Sequence, residues 1–404
     1  MKVLIADALP SAHVEKLRKI VGDVDYEPNL TDESLVERIP GTNVLVVRGT
    51  KVRAEAIAAQ DQLELIVRAG AGTENIDLVA ASNKGVYVTN CPDKNAAAVA
   101  ELTMGLLISV DRRIPEQNTA LTERKWQKEL FQEAGGLKGK TFGVVGVGSV
   151  GREVIKRAKA FDMRVIAWSR NLTDQKAAEL GASRSATIDE LIANCDIISL
   201  HVALTADTRH LISARQIALM KQGAIILNTS RGPIIDTRAL AEALRDGRIR
   251  AGLDVYEDEP KQGTGTFNDL LASVPNWVGT HHVGASTTQA QTATADETVR
   301  IIETYLKTGV VENCVNFATQ TPAIFEIIIR HYNRIGVLTR ILSELRESKI
   351  NVHEVHNVIF EGANAAVAHV QIDTYPSTET LNRIAIRKAE IISIRIVKLQ
   401  EARV

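Results

Sequence analysis

The sequence predicts an α/β protein with two doubly wound parallel sheets and a smaller C-terminal βαββαβ module. Three observations carry that expectation. The glycine turn Gly146-Val147-Gly148-Ser149-Val150-Gly151 stands between an apolar strand and a helical pattern. Short apolar runs alternate with helical segments over residues 1–285, and the segment from 322 onward reads strand, helix, strand, strand, helix, strand.

At 404 residues the chain exceeds one ordinary core, so two or three domains are expected. In the first unit the apolar runs are Val3–Ala6, Val44–Val47, Leu65–Val67 and Tyr87–Thr89, a βαβ rhythm. A long apolar helix, Ala96–Val110, follows, and then a polar stretch from 111 to 140. The second unit opens with the strand Thr141–Val145, the glycine turn and a helix over Arg152–Phe161. That order is the one a Rossmann-like dinucleotide fold requires. Gly146 permits the tight turn, Gly148 lets backbone approach a pyrophosphate, and Gly151 allows close packing of helix on strand. The helix N-terminus at Ser149 and Val150 then offers free N–H groups and a positive dipole end to phosphates. Further strands are expected at Arg164–Trp168, Ile197–Leu200, Ala224–Leu227, Arg250–Asp254 and Trp277–Gly279.

The helix Thr287–Thr308 is apolar on one face and is expected to return to the first unit. This gives a discontinuous substrate-binding domain (1–98 and 286–316), a nucleotide-binding domain (99–285) and, after a linker over Asn316–Pro322, a third domain over 322–404. Its elements are expected at Ile324–Arg330, Gly336–Ser348, Val352–Phe360, Ala365–Asp373, Thr378–Lys388 and Ile392–Leu399, a ferredoxin-like order.

Composition excludes several function classes. Hydrophobic residues at 45% and charged residues at 24% fit a globular protein, and a net charge of -1 gives no electrostatic footprint for nucleic acid or a membrane surface. No apolar stretch approaches the ~20 residues that span a bilayer. Three scattered cysteines, Cys91, Cys195 and Cys314, suit a reducing compartment, and the N-terminus runs straight into a strand, so a cytoplasmic location is expected. No metal-ligand spacing is present, and the expected partners are small molecules and further copies of the chain, as a dimer or tetramer.

Three side chains downstream of the turn point to redox chemistry on a small hydroxy acid: Arg231, Glu259 and His282. Hydride transfer from a hydroxyl-bearing carbon to nicotinamide needs a group that takes the hydroxyl proton and returns it in reverse, which suits a histidine. A carboxylate beside it fixes the tautomer and stabilises the imidazolium. An arginine pairs with the substrate carboxylate and polarises the carbonyl oxygen. His281 and His282 are adjacent, and spacing does not choose between them. The strand Arg164–Trp168 ends in Ser169-Arg170 where NAD enzymes carry a ribose-binding acid. Both NAD and NADP therefore stay open.

Taken with Asn228-Thr229-Ser230-Arg231-Gly232, Asp254-Val255-Tyr256 through Glu259-Pro260, and His282-Val283-Gly284-Ala285-Ser286, the turn makes the chain resemble the D-2-hydroxyacid dehydrogenases. The resemblance implies that His282, Arg231 and Glu259 are the catalytic set. It also implies cofactor contacts from Gly146, Gly148, Ser149, Val150, Gly151, Ser169, Arg170, Val202, Thr229, Ser230, Asp254, Gly284 and Ala285. Ala203 stands where the family commonly has proline.

The loops Val47–Lys51 and Arg68–Asp77 are similar to the substrate loops of family members that act on a phosphorylated acid, with Arg48 and Lys51 supplying charge for a phosphate and Gly70, Ala71 and Gly72 backbone N–H groups for a carboxylate. Lys128, in Lys125–Lys128, resembles a basic residue that reaches a neighbouring subunit's substrate. The C-terminal module resembles the ACT domain, which binds amino acids between paired copies, with His331, Asn333 and Asn351 at the effector positions and Ile335 where a proline is usual. These likenesses imply oxidation of 3-phospho-D-glycerate to 3-phosphooxypyruvate with NAD or NADP, at the start of phosphorylated serine synthesis, and inhibition by L-serine. The alternatives are an NADP-dependent glyoxylate or hydroxypyruvate reductase and, from another class, a non-catalytic NAD(H)-sensing protein.

Overall fold

A computed structural model describes residues 1–260, 264–386 and 389–399. The chain divides into two compact units, Met1–Asn316 and Phe317–Val404.

In the first unit, strands Asp23–Tyr26, Lys2–Ile5, Val44–Val47, Leu65–Arg68 and Tyr87–Asn90 lie side by side in that order, all parallel. Side chains alternate across this sheet, so each face has its own core. Val3, Ile5, Val44, Val46 and Val67 pack under the helices Ser11–Val21 and Thr288–Thr308, while Leu4, Leu45, Val47, Ile66 and Val88 pack under Leu35, Ile57 and Ala81 of three short helices. The helix Thr288–Thr308 starts where Thr287 accepts the N–H of Ala290 and stops at Gly309, whose φ is 71°. It buries Ala295, Val299, Ile301 and Ile302 on the first sheet. Full burial of a Val or Ile side chain is worth ~1.5–3 kcal/mol, so this face anchors the chain's return.

A second parallel sheet in the same unit has the order Trp277–Gly279, Ile249–Leu253, Ala224–Asn228, Ile197–Leu200, Thr141–Val145, Arg164–Trp168, Ser183–Arg184. The helix Ala96–Arg112 and the helix Ser149–Ala160 cover one face with Met104, Leu107, Val154 and Ile155. In both sheets the first strand lies beside a later one rather than only the next, which opens a crevice at the carboxyl ends of the central strands. Asp7 and Arg48 stand at that end of the first sheet, Gly146 and His201 at that end of the second.

The unit Phe317–Val404 is an antiparallel sheet in the order Val352–Ile359, Ala365–Ile372, Phe325–Tyr332, Ile391–Lys398. Helices Val337–Glu347 and Thr378–Ala385 bury Val337, Ile341, Leu345 and Ile384 against Ile327, Ile329 and Val370. Lys388, the expected end of the second helix, lies outside the described residues.

Three elements differ from expectation. The strand Asp23–Tyr26 is an edge strand in which Asp23 is exposed and apolar Val24 and Tyr26 alternate with aspartates, without an apolar run to announce it. Ser183–Arg184 is an exposed two-residue edge. The polar stretch after the long apolar helix holds a further helix, Ile114–Thr122, separated from its predecessor by Arg113 at φ 52° and buried only at Ala120. Cys91 and Cys195 are buried, Cys314 is half-buried, and all three are free thiols.

Candidate active site

The glycine turn has room for its backbone and for little else on two sides. A Cβ on Gly146, whose φ is 97°, would lie 2.5 Å from the carbonyl oxygen of His201, and one on Gly151 would overlap the carbonyl of Gly146. A Cβ on Gly148 would meet nothing of the chain within 4 Å. The helix Ser149–Ala160 begins there without a side-chain cap, leaving its first N–H groups directed at that open space. A phosphate fits this cradle, and a side chain at 148 would fill it. Beside it, Ser199 Oγ lies 2.7 Å from His201 Nε2, and burial pushes the His201 imidazole down to about 3. His201 therefore stays neutral at physiological pH.

His282 takes φ 52°, a left-handed conformation that costs a non-glycine residue on the order of 1 kcal/mol. Asp254, buried after the strand Ile249–Leu253, holds it there. The His282 N–H donates to Asp254 O at 2.8 Å, Val283 N–H to Asp254 Oδ1 at 2.9 Å, Gly284 N–H to Asp254 Oδ2 at 2.8 Å, and Thr280 Oγ1 to Asp254 Oδ1 at 2.6 Å. His282 Nδ1 then lies 2.7 Å from Glu259 Oε2. The other oxygen of Glu259 accepts the Tyr256 N–H at 3.0 Å. The Glu259 hydrogen bond raises the His282 pKa against the opposing effect of burial, while Arg231 pulls it down, so that guanidinium lies within electrostatic reach. Burial pushes the Glu259 carboxyl up, but the His282 bond and the Tyr256 N–H outweigh it and the net shift is downward. Of the acidic run Glu257–Glu259, Glu257 is spent on His210 at 2.9 Å and Arg209 at 3.0 Å.

Arg231 follows the strand Ala224–Asn228, in a loop fixed by Asn228. The Asn228 Nδ2 donates to Arg231 O at 2.9 Å, and Asn228 Oδ1 accepts from Ser230 N–H and Oγ at 3.1 and 2.8 Å. Across from it the first sheet contributes Glu74, which accepts from Arg231 Nε at 3.0 Å and lies 2.8 Å from Nη2. A cleft of about 570 Å³ is lined by Arg48, Arg68, Gly70, His282, Ala285, Ser286 and Gln291, among others. Asp7 fixes the loop that carries Arg48. One carboxylate oxygen, Oδ2, accepts the N–H groups of Arg48 at 2.6 Å and of Gly49 and Thr50 at 3.0 Å. Burial lowers the Arg68 pKa, the Glu74 charge opposes this, and the charges of Arg231 and Arg48 lower it further.

Not every expected residue enters this cleft. Lys51 is exposed, and Lys128 lines a separate hollow with Gln117, Trp126 and Phe131. Thr229 is buried with its Oγ1 2.8 Å from Thr103 Oγ1, Val202 packs beside Gly146, and Asn90 Nδ2 donates to Ala71 O at 2.5 Å. Ser169 is half-buried and Arg170 exposed after the strand Arg164–Trp168. In the C-terminal unit, His331 is buried with Nε2 3.1 Å from Asn357 Oδ1 and Nδ1 2.9 Å from Tyr332 O; Asn333 Nδ2 donates to Ala363 O at 2.9 Å; and Asn351 Nδ2 lies 3.4 Å from His353 Nε2. Among the described residues no group of His, Cys, Asp and Glu is arranged to hold a metal ion, and no helix is long and apolar enough to cross a membrane.

Residues 104–284 match the model of the D-isomer specific 2-hydroxyacid dehydrogenase NAD binding domain. A hydroxypyruvate reductase from Thermotoga maritima is 43% identical over 278 residues, which cover 68% of this chain and 88% of that protein. The chain belongs to the D-isomer specific 2-hydroxyacid dehydrogenases. Within this family, a D-3-phosphoglycerate dehydrogenase from Methanocaldococcus jannaschii is 43% identical over 318 residues, 78% of this chain. The match spans 59% of that relative's length. The NAD+-bound 3-phosphoglycerate dehydrogenase of Entamoeba histolytica superposes with a TM-score of 0.65 at 27% identity, covering 78% of this chain and 99% of that one.

Sequence pattern alone assigns no role to Arg68, Glu74, Asp7 or Asn228. Arg68 had a usable signal, since it is a cation at the end of an apolar strand, directly before a glycine loop.

Proposed function

We propose that the chain is a D-3-phosphoglycerate dehydrogenase, oxidising 3-phospho-D-glycerate to 3-phosphooxypyruvate. The observation that carries this reading is the shared cleft of His282, Arg48 and Arg68, which offers a proton acceptor and two guanidiniums to one small molecule. A substrate with a carboxylate at one end and a phosphate at the other uses all of that charge, whereas glyoxylate leaves the pair Arg48 and Arg68 without a partner. The likeness to the Methanocaldococcus enzyme supports the same choice.

When bound at the glycine turn, nicotinamide dinucleotide supplies the hydride acceptor. The chain's own residues do the rest. With Nδ1 donating to Glu259, the neutral His282 presents the lone pair of Nε2, and that atom takes the hydroxyl proton. Glu259 stabilises the imidazolium that forms. Arg231 holds the carboxylate and the oxygen that becomes the carbonyl, and Gly70 and Gly72 present backbone to the same carboxylate. Gly146, Gly148 and Gly151 with Ser149 and Val150 would hold the pyrophosphate, and Val202, Thr229, Ser230, Asp254, Gly284 and Ala285 would supply further cofactor contacts. NAD is the cofactor in this reading, and Ser169 and Arg170, which lack the carboxylate that repels a 2′-phosphate, leave NADP use open. The three-domain division belongs to it too, with residues 322–404 as an effector domain that binds L-serine at His331, Asn333 and Asn351 between paired copies of the chain.

A second reading, an NADP-linked glyoxylate or hydroxypyruvate reductase, is favoured by Ser169-Arg170 and by the likeness to the Thermotoga enzyme. Initial rates with 3-phosphoglycerate, hydroxypyruvate and glyoxylate, each with both cofactors, separate the two. Turnover of 3-phosphoglycerate is expected. Its absence, with glyoxylate and NADPH reacting, selects the second reading, and no turnover of any acid selects a binding protein.

A further inference from the structure

The hydrogen bonds of Arg231 are unevenly distributed around its guanidinium. Its Nε and Nη2 both face Glu74 Oε1, at 3.0 and 2.8 Å, and Nη1 donates to its neighbour's carbonyl, Ser230 O, at 2.7 Å. A guanidinium is a rigid planar fork, so a partner on its Nε/Nη2 side fixes the direction in which its terminal Nη1/Nη2 edge points. The loop that carries Glu74 is built around this pair. A Cβ on Gly72 would lie 2.5 Å from Arg231 Nη2 and would overlap the Glu74 carboxylate, so only glycine leaves both in place.

We propose that Glu74 is a positioning residue for the reaction: by occupying the Nε/Nη2 side of Arg231, it turns the terminal edge of that guanidinium toward the substrate carboxylate. This rests on the role given to Arg231 above. Glu74 also supplies negative charge where Arg48, Arg68 and Arg231 converge. Burial pushes its carboxyl up, but Arg231, its backbone hydrogen bond and Arg68 outweigh that and keep it ionised. Without it, the long Arg231 side chain keeps only the Ser230 carbonyl and the substrate must pay the cost of ordering it.

The test compares Glu74→Ala and Glu74→Gln with the unmodified full chain. Glutamine retains an acceptor oxygen for the Nε/Nη2 side; alanine does not. Glu74→Ala is expected to lower kcat/KM for the hydroxy acid by about tenfold, a loss of about one hydrogen bond, with the KM for the nicotinamide cofactor and the melting temperature unchanged. Glu74→Gln is expected to recover most of it. Calorimetric binding of oxalate to the NADH complex reads the Arg231 edge without turnover, and Glu74→Ala should loosen it by a similar factor. If the unmodified chain turns over no hydroxy acid, the proposed function fails, while the oxalate comparison still decides the role of Glu74. Equal or tighter oxalate binding by Glu74→Ala overturns the proposal, because Glu74 then competes with the ligand instead of orienting its partner.

Discussion

His282 in the cleft and His331 in the C-terminal sheet receive opposite treatment. His282 is solvent-facing, strained at φ 52°, and paired with a carboxylate that raises its pKa. His331 is buried at 2% exposure, lies on a regular strand, and faces a neutral amide and a backbone carbonyl. A carboxylate partner stabilises the charged imidazole and favours proton uptake, whereas amide and carbonyl partners fix the ring's orientation. His282 is thus placed for proton transfer, as the proposed function requires, and His331 for a fixed hydrogen-bond geometry.

The largest effect should come from removing the reactive ring. His282→Ala is expected to lower kcat by ~10²-fold or more while leaving cofactor affinity intact, as measured by steady-state rates and NADH fluorescence. Unchanged turnover would take His282 out of the mechanism and erase the contrast with His331.

A smaller change removes the charge beside His282. In the oxidative direction the ring must be neutral, so kcat/KM rises with pH through the free enzyme's His282 pKa. Glu259 holds that pKa up, and Glu259→Gln should therefore move the rising limb to lower pH, with rates reduced by about tenfold where the imidazolium needs its counter-charge. In the reductive direction the ring must be protonated, and the falling limb should move the same way. A profile that does not move would mean that Glu259 only braces the loop.

The smallest effect on catalysis is expected in the other unit. Asn333→Ala removes a side chain that ties its loop to Ala363 O and should abolish inhibition by L-serine while sparing turnover. Inhibition that persists in rate assays with added serine would assign the effector to another surface.

Legibility in the sequence followed physical range. The glycine turn, the strands of uninterrupted Val, Ile and Leu, and the contact from Glu259 to His282 were readable because the first two are local patterns and the third was implied by family resemblance. The helix Ile114–Thr122 was hidden because it buries one alanine and shows no apolar stripe. Asp7 and Glu74 were hidden for another reason. Asp7 acts on backbone 41 residues away and Glu74 on a side chain 157 away, and neither separation leaves a periodicity or a spacing to read. Within the acidic run Glu257–Glu259, the expected Glu259 faces His282, and the structure adds that Glu257 pairs with His210 and Arg209.

Recognition of a phosphorylated hydroxy acid by the cleft is tested by kcat/KM for 3-phospho-D-glycerate against that for D-glycerate with the same cofactor. Two guanidiniums meeting one phosphate are worth several kcal/mol of transition-state binding, so the phosphorylated acid should be preferred by ~10²-fold or more. Equal values for the two acids would contradict the claim and leave Arg48 and Arg68 without a substrate group to bind.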